Sequence, residues 1–181
     1  MAAEANNRAA TPNDAKAQTY LNRVRQRAFD PADWGTKVDG YIAQVSTSKD
    51  AFFDAYFHKD SVKLKNKLPV IVWTHGGGLI SGDKNQLSNY CKILASYGYV
   101  VISIDYSIAP EKKYPTPMRQ LNKALAYISE NSEKFYADKS FFVLAGDSGG
   151  SMISASTDNI ITNPNYAKIT KVEQGIKQKQ L

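Results

Sequence analysis

The chain reads as an α/β protein: a mostly parallel sheet flanked by helices, preceded by an N-terminal helix and a hairpin. Three observations predict this. Short, nearly continuous apolar runs stand at Leu68–Thr74 (LPVIVWT), at 99–104 (YVVISI) and at 141–145 (FFVLA), as expected of strands covered on both faces. Between and after them, apolar residues recur at helical spacing. Strand and helix therefore alternate, and right-handed βαβ crossovers set consecutive strands parallel. In such sheets chemistry gathers in the loops at the carboxyl ends of the strands.

The elements follow in order. Residues 11–28 predict an amphipathic helix, with Pro12 near its first turn and Ala17, Tyr20, Leu21, Val24 and Ala28 on one face. Asp30-Pro31 marks a break. Two β-like runs at 41–46 and 51–57, joined by a short polar stretch, predict a hairpin. After the first buried strand, Leu87, Tyr90, Cys91, Leu94 and Tyr97 form a helical stripe that ends at Gly98. After the second, Pro117 opens a helix with Met118, Leu121, Leu125 and Ile128 inward. After the third, Gly149–Thr162 reads as a helix that stops before Pro164. A polar tail rich in Lys and Gln follows over 165–181, and no strand follows residues 141–145, so the far edge of that strand is expected to lie open to self-association.

Composition narrows the function classes. The 181 residues are 43% hydrophobic and 22% charged, enough for one domain with a real core. The formal charge of +6 comes from 23 Lys+Arg against 17 Asp+Glu, scattered along the chain rather than gathered on one face, which argues against a nucleic-acid partner. The single cysteine, Cys91, excludes an internal disulfide and fits a reducing, cytoplasmic compartment. No apolar run of membrane-spanning length is present; the polar, Ala-rich start is also compatible with a mature secreted or surface-anchored form. No metal cluster, P-loop or dinucleotide fingerprint appears, so no cofactor is expected.

Two motifs lie at the carboxyl ends of predicted strands. Gly146-Asp147-Ser148-Gly149-Gly150 is a G-x-S-x-G sequence between strand and helix, the setting of a nucleophile elbow. A very tight turn there lifts the Ser148 hydroxyl above the sheet, and the helix that follows brings free N–H groups to a developing negative charge. His75-Gly76-Gly77-Gly78 follows the first buried strand directly. Glycines there let the backbone approach a substrate and point N–H groups at an oxyanion.

These motifs make the chain resemble the hormone-sensitive-lipase-like esterases of the α/β-hydrolase superfamily. Three segments carry the likeness in the family's order: His75 to Gly78 running on to Gly82-Asp83-Lys84, then Asp105-Tyr106-Ser107-Ile108-Ala109-Pro110-Glu111, then Gly146 to Gly150. The resemblance implies that Ser148 is the nucleophile and that the N–H groups of Gly77, Gly78 and Gly149 form the oxyanion hole. It implies that His75, Gly76 and Asp105 support the loop, His75 not being the base, and that residues 105–111 brace the elbow. It divides the chain into an N-terminal helical arm (1–33) and an incomplete α/β-hydrolase domain (34–181). Three departures stand out: Gly149 where the family usually has Ala, Ser107 where many members have Arg, and Gln120 where an acid is often found. The string GDSGG also surrounds the serine of chymotrypsin-like proteases, but the βαβ pattern, the single cysteine and Ser151 in place of Pro oppose that reading.

The serine needs a base, and the base an orienting acid. The 33 residues after Ser148 contain Asp158, Glu173 and no histidine. Asp158 falls inside a helix, and both carboxylates read as surface groups. His58, at the end of an early strand, reads as a surface residue too. The triad acid and histidine are thus expected to be absent, as in a C-terminally truncated copy of a longer carboxylesterase acting on small-molecule esters. Two alternatives remain open: an inactive fragment or pseudoenzyme with a binding role, and an amidase of the same fold.

Overall fold

A computed structural model describes residues 41–48, 51–58, 60 and 67–181. The predicted helix at 11–28 and the boundary of the N-terminal arm lie outside the described residues. Five strands form one sheet: β1 (Tyr41–Ser48), β2 (Ala51–His58), β3 (Leu68–Thr74), β4 (Val100–Asp105) and β5 (Ala137–Gly146). Their spatial order is β1-β2-β4-β3-β5. The β1–β2 pair is the expected antiparallel hairpin, with Tyr41 opposite His58 and Ser48 opposite Ala51. β2 runs antiparallel to β4, while β3 is parallel to both β4 and β5.

The helices are α1 (Ser88–Ser96), α2 (Thr116–Glu130), α3 (Gly149–Thr162) and α4 (Pro164–Thr170). α1 crosses from β3 to β4 and α2 from β4 to β5, which is why these three strands share one direction, and α3 follows β5. Period-2 alternation sends side chains to both faces, and both are apolar. On one face Phe53, Val72, Ile102 and Phe142 join Leu121, Leu125, Ile153 and Ile160 from α2 and α3 in the main core. On the other, Tyr56 and Val101 meet Cys91 and Ala95 of α1. Burial pushes the Cys91 thiol up to about 12, so it packs as a small apolar group.

One buried ion pair crosses between elements. Lys84 Nζ lies 2.7 Å from Asp54 Oδ1, and the two side chains are 16% and 7% exposed. Removing either partner would strand a charge away from water, so the pair fixes the loop after β3 against β2.

The tail differs from the expectation of a polar run. Val172 and Ile176 are buried in the main core. Gln174 Nε2 donates to the Ile160 and Ile161 carbonyls at 3.1 and 2.9 Å. Gly175 N donates to Asn122 Oδ1 at 2.9 Å. Two apolar residues among lysines and glutamines suffice because amide side chains anchor the stretch between them. Among the described residues β5 is an edge strand, with Phe141 and Val143 about half exposed.

Candidate active site

The carboxyl ends of β3 and β5 lie side by side, with Thr74 in register with Gly146. The loop after β3 and the turn after β5 therefore meet. Contact requires small residues. A methyl group on Gly150 would lie 2.0 Å from the Thr74 carbonyl oxygen, and one on Gly146 2.6 Å from the same atom. Backbone packs on backbone here, which only glycine permits.

Ser148 caps the N-terminus of α3 with φ 46° and ψ −119°. This is a sparsely populated conformation for a residue with a side chain, of the kind held at functional sites at a cost of about 1–3 kcal/mol. Ser148 is solvent-exposed. Its neighbour Gly149 has room: a methyl group there would lie 3.4 Å from the amide nitrogens of Gly78 and Leu79. That distance also places the first turn of α3 against the loop after β3.

That loop runs through three consecutive positive φ angles, Gly77 at 118°, Gly78 at 62° and Leu79 at 66°. The Gly77 carbonyl accepts from Ile80 N at 3.1 Å, Ser81 N at 3.0 Å and Ser81 Oγ at 2.9 Å. The Ile80 and Ser81 amides are thus spent on this carbonyl, whereas the Gly78 and Leu79 nitrogens lie beside the first turn of α3. Concave runs of N–H groups of this kind attract anions.

His75 is 1% exposed. Its Nδ1 donates to the Gly76 carbonyl at 2.7 Å, and its ring stacks on Tyr106 with centroids 4.3 Å apart. Nε2 faces Asp105 Oδ1 at 3.9 Å, too long for a hydrogen bond. Burial pushes the Asp105 carboxyl above its ordinary value, against the pull of His75 and Lys84. His58 occupies the other end of the sheet. β2 runs opposite to β4, so Phe52 pairs with Asp105 while His58 lies beyond the Tyr56–Val101 pair, about 20 Å along the strand. It is a half-buried residue beside Asp60.

Residues 105–111 reach the loop after β3 rather than the elbow. Tyr106 Oη donates to the His75 carbonyl at 2.9 Å, and Ala109 N donates to the Leu79 carbonyl at 2.8 Å. The elbow is held by a residue the sequence reading passed over, Asp147. Its Oδ1 accepts from Gly76 N at 3.0 Å and from Trp73 Nε1 at 3.3 Å. A methyl group on Gly76 would lie 2.3 Å from Asp147 Oδ2, so this glycine serves to admit the carboxylate. Two departures from the family pattern are one contact: Ser107 N donates to Gln120 Oε1 and Gln120 Nε2 to Ser107 Oγ, both at 2.8 Å. Asp158 and Glu173 are exposed. Among the described residues no group of acidic, His and Cys side chains is arranged to hold a metal ion, and no helix is long and apolar enough to cross a membrane.

Comparison with known proteins agrees with this architecture. Residues 54–174 match the BD-FAE family model. Lipase 2 of Moraxella sp. (strain TA144) is 34% identical over 95 residues, 52% of this chain and 22% of that protein. Esterase LipC of Mycobacterium tuberculosis (strain ATCC 25618 / H37Rv) is 32% identical over 100 residues, 54% of this chain and 25% of that protein. Among solved structures, esterase B from Lactobacillus rhamnosis (HN001) superposes with a TM-score of 0.66 at 21% identity, covering 88% of this chain and 54% of that one. A bacterial heroin esterase superposes with a TM-score of 0.63 at 23% identity, covering 91% and 55%. The fold is that of an α/β-hydrolase, and the chain spans about half the length of these structures and matches about a quarter of these curated relatives.

Proposed function

The chain belongs to the BD-FAE family, and from that premise we propose that it carries the nucleophile and oxyanion hole of a carboxylic-ester hydrolase. Ser148 Oγ attacks the ester carbonyl carbon, and the alkoxide leaves with a proton. Water then releases the acid from the acyl-serine. The N–H groups of Gly77, Gly78 and Gly149 stabilise the tetrahedral oxyanion, each donor contributing roughly 2.7–4 kcal/mol in comparable sites. A histidine and a carboxylate from outside the described residues complete the triad, because His75 is committed to Gly76 and Tyr106 and His58 sits at the far end of the sheet.

The observation that carries this reading is the strained Ser148 at the start of α3, whose next residue, Gly149, lies against the backbone nitrogens of Gly78 and Leu79. Hydrolysis of p-nitrophenyl acetate by the 181-residue chain, against Ser148→Ala, is the first test. Little difference between the two is expected, since loss of the base in a serine hydrolase costs roughly a million-fold. Turnover by this chain alone that vanishes in Ser148→Ala would overturn the need for an outside base. The second test supplies a polypeptide carrying the missing histidine and acid. An alkylphosphonate should then label Ser148, and failure to label it would sink the esterase reading.

A further inference from the structure

The outer face of α2 carries charges that the site at the head of the sheet does not use. Met118, Leu121, Leu125 and Ile128 turn inward to the main core, and Arg119, Lys123 and Ala126 share the opposite face of the helix. The tail runs alongside that face. Between the two lies a groove of about 430 Å³, with Arg119, Lys123 and Ala126 on one wall and Lys171, Glu173 and Gly175 on the other.

We propose that this groove binds a phosphomonoester group, gripped between Arg119 of α2 and Lys171 of the tail. The proposal stands apart from the esterase reading. Its first support is charge. The lining carries three cationic side chains and one carboxylate, all exposed. That surplus of positive charge suits a phosphate monoester, close to a dianion at neutral pH, better than a monocarboxylate. Arg119 and Lys123 stand four residues apart on one helix face, so both reach the same stretch of groove. A guanidinium can hold two phosphate oxygens at once.

The second support is that the far wall is built. Val172 and Ile176 are buried in the main core on either side of Glu173 and Gly175. Gly175 N donates to Asn122 Oδ1 at 2.9 Å, and a methyl group on Gly175 would overlap the Asn122 carbonyl oxygen, so tail backbone lies directly on α2. Gln174 Nε2 ties the same stretch to the Ile160 and Ile161 carbonyls of α3. Lys171 ends α4 in the left-handed conformation, φ 53° and ψ 39°, where glycine is the usual residue. Its backbone direction is thus set by the turn into buried Val172. Gly175 N and Gln174 Nε2 are spent on holding this wall, which leaves recognition to the charged side chains. The groove is wider than a phosphate alone, and the space beside Ala126 admits a small organic group.

Phenyl phosphate is the probe, added to the nitrogen-15-labelled 181-residue chain. It should shift the Gly175 amide and Arg119 Nε–H resonances saturably. Benzoate, with a similar ring and one charge, should bind at least about tenfold more weakly. Arg119→Gln and Lys171→Gln should each weaken phenyl phosphate about tenfold. Glu173→Gln should tighten it roughly threefold, since it removes the one repelling charge. Lys112→Gln removes the same charge outside the groove and should leave binding unchanged. Phenyl phosphate should also raise the thermal midpoint of the parent, and raise that of the two weakened variants less. Phosphatidylcholine vesicles carrying phosphatidic acid separate the two sources of such a group. Sedimentation of the parent but not of Arg119→Gln with them would place the phosphate on a lipid; no sedimentation, with phenyl phosphate bound, would place it on a free small molecule. The proposal is overturned if phenyl phosphate shifts neither resonance, if benzoate binds equally well, or if Lys112→Gln weakens binding as much as Arg119→Gln does.

Discussion

The two glycine-rich turns at the head of the sheet obey different rules. Between residues 75 and 82 the demand is conformational as well as steric: Gly77, Gly78 and Gly82 all have positive φ, and a methyl group would lie 2.0 Å from the Ser81 carbonyl oxygen on Gly77, 2.6 Å from the Gly76 carbonyl oxygen on Gly82, and only in ordinary contact, 3.8 Å from Ile80, on Gly78. Between residues 146 and 150 the demand is proximity alone: Gly146 and Gly150 press on the Thr74 carbonyl, no glycine has a positive φ, and the one residue that does is the serine. One turn uses glycine to reach backbone angles closed to other residues. The other uses glycine to let a strained serine stand against a strand. A G-x-S-x-G string is therefore informative only where a neighbouring strand end gives its glycines something to touch.

The sharpest way to break this comparison is Gly150→Ala. Its methyl group would lie 2.0 Å from a backbone oxygen, which cannot move without shifting β3. We expect a loss of about 3 kcal/mol or more, read as a large drop in thermal midpoint. Asp147→Ala comes next, because it leaves Gly76 N and Trp73 Nε1 without their acceptor. A loss of about 1–3 kcal/mol in urea unfolding is expected, and a neutral result would mean that the carboxylate does not join the turns. Ser148→Gly should go the other way, raising stability by about 1 kcal/mol as the strain at φ 46° disappears. Gly149→Ala should change stability by no more than about 1 kcal/mol and in the stabilising direction, since its site has space and an ordinary φ. A strong destabilisation there would contradict the distinction between the glycines.

Asp105 offers a pH test at the end of β4. Burial raises its carboxyl in the folded state, so folding favours the protonated form. That contribution is complete below the ordinary aspartate value and is lost as pH rises through the raised one. The stability of the parent relative to Asp105→Asn should therefore increase as pH falls from neutral. A difference that stays flat in urea unfolding across that range would show that Asp105 is not desolvated there.

Much of this was legible in the sequence because its causes are local. β3 and β4 announced themselves by continuous apolar runs; the run at 141–145 marked β5, which begins earlier, at Ala137, and leaves Phe141 and Val143 exposed rather than covered on both faces. α3 was bounded by Gly149 and by the proline after Asn163. The two motifs were legible because positive φ and close approach leave glycine little competition. Asp147 was not, since its meaning depends on Gly76, 71 residues away. Neither was the tail, where Val172 and Ile176 gain their places from Asn122 and from Gln174's bonds to α3. Ser107 and Gln120 read as two unrelated departures because nothing in the sequence says they touch.

That last contact has a consequence for the conditions under which the site holds its shape. An arginine–carboxylate pair joining the 105–111 stretch to α2 would be screened as salt rises, where it is exposed to solvent. Two hydrogen bonds between a backbone amide, a hydroxyl and a carboxamide carry no net charge. The strut behind the loop after β3 is thus insensitive to ionic strength, and brine should leave it as firm as dilute buffer does.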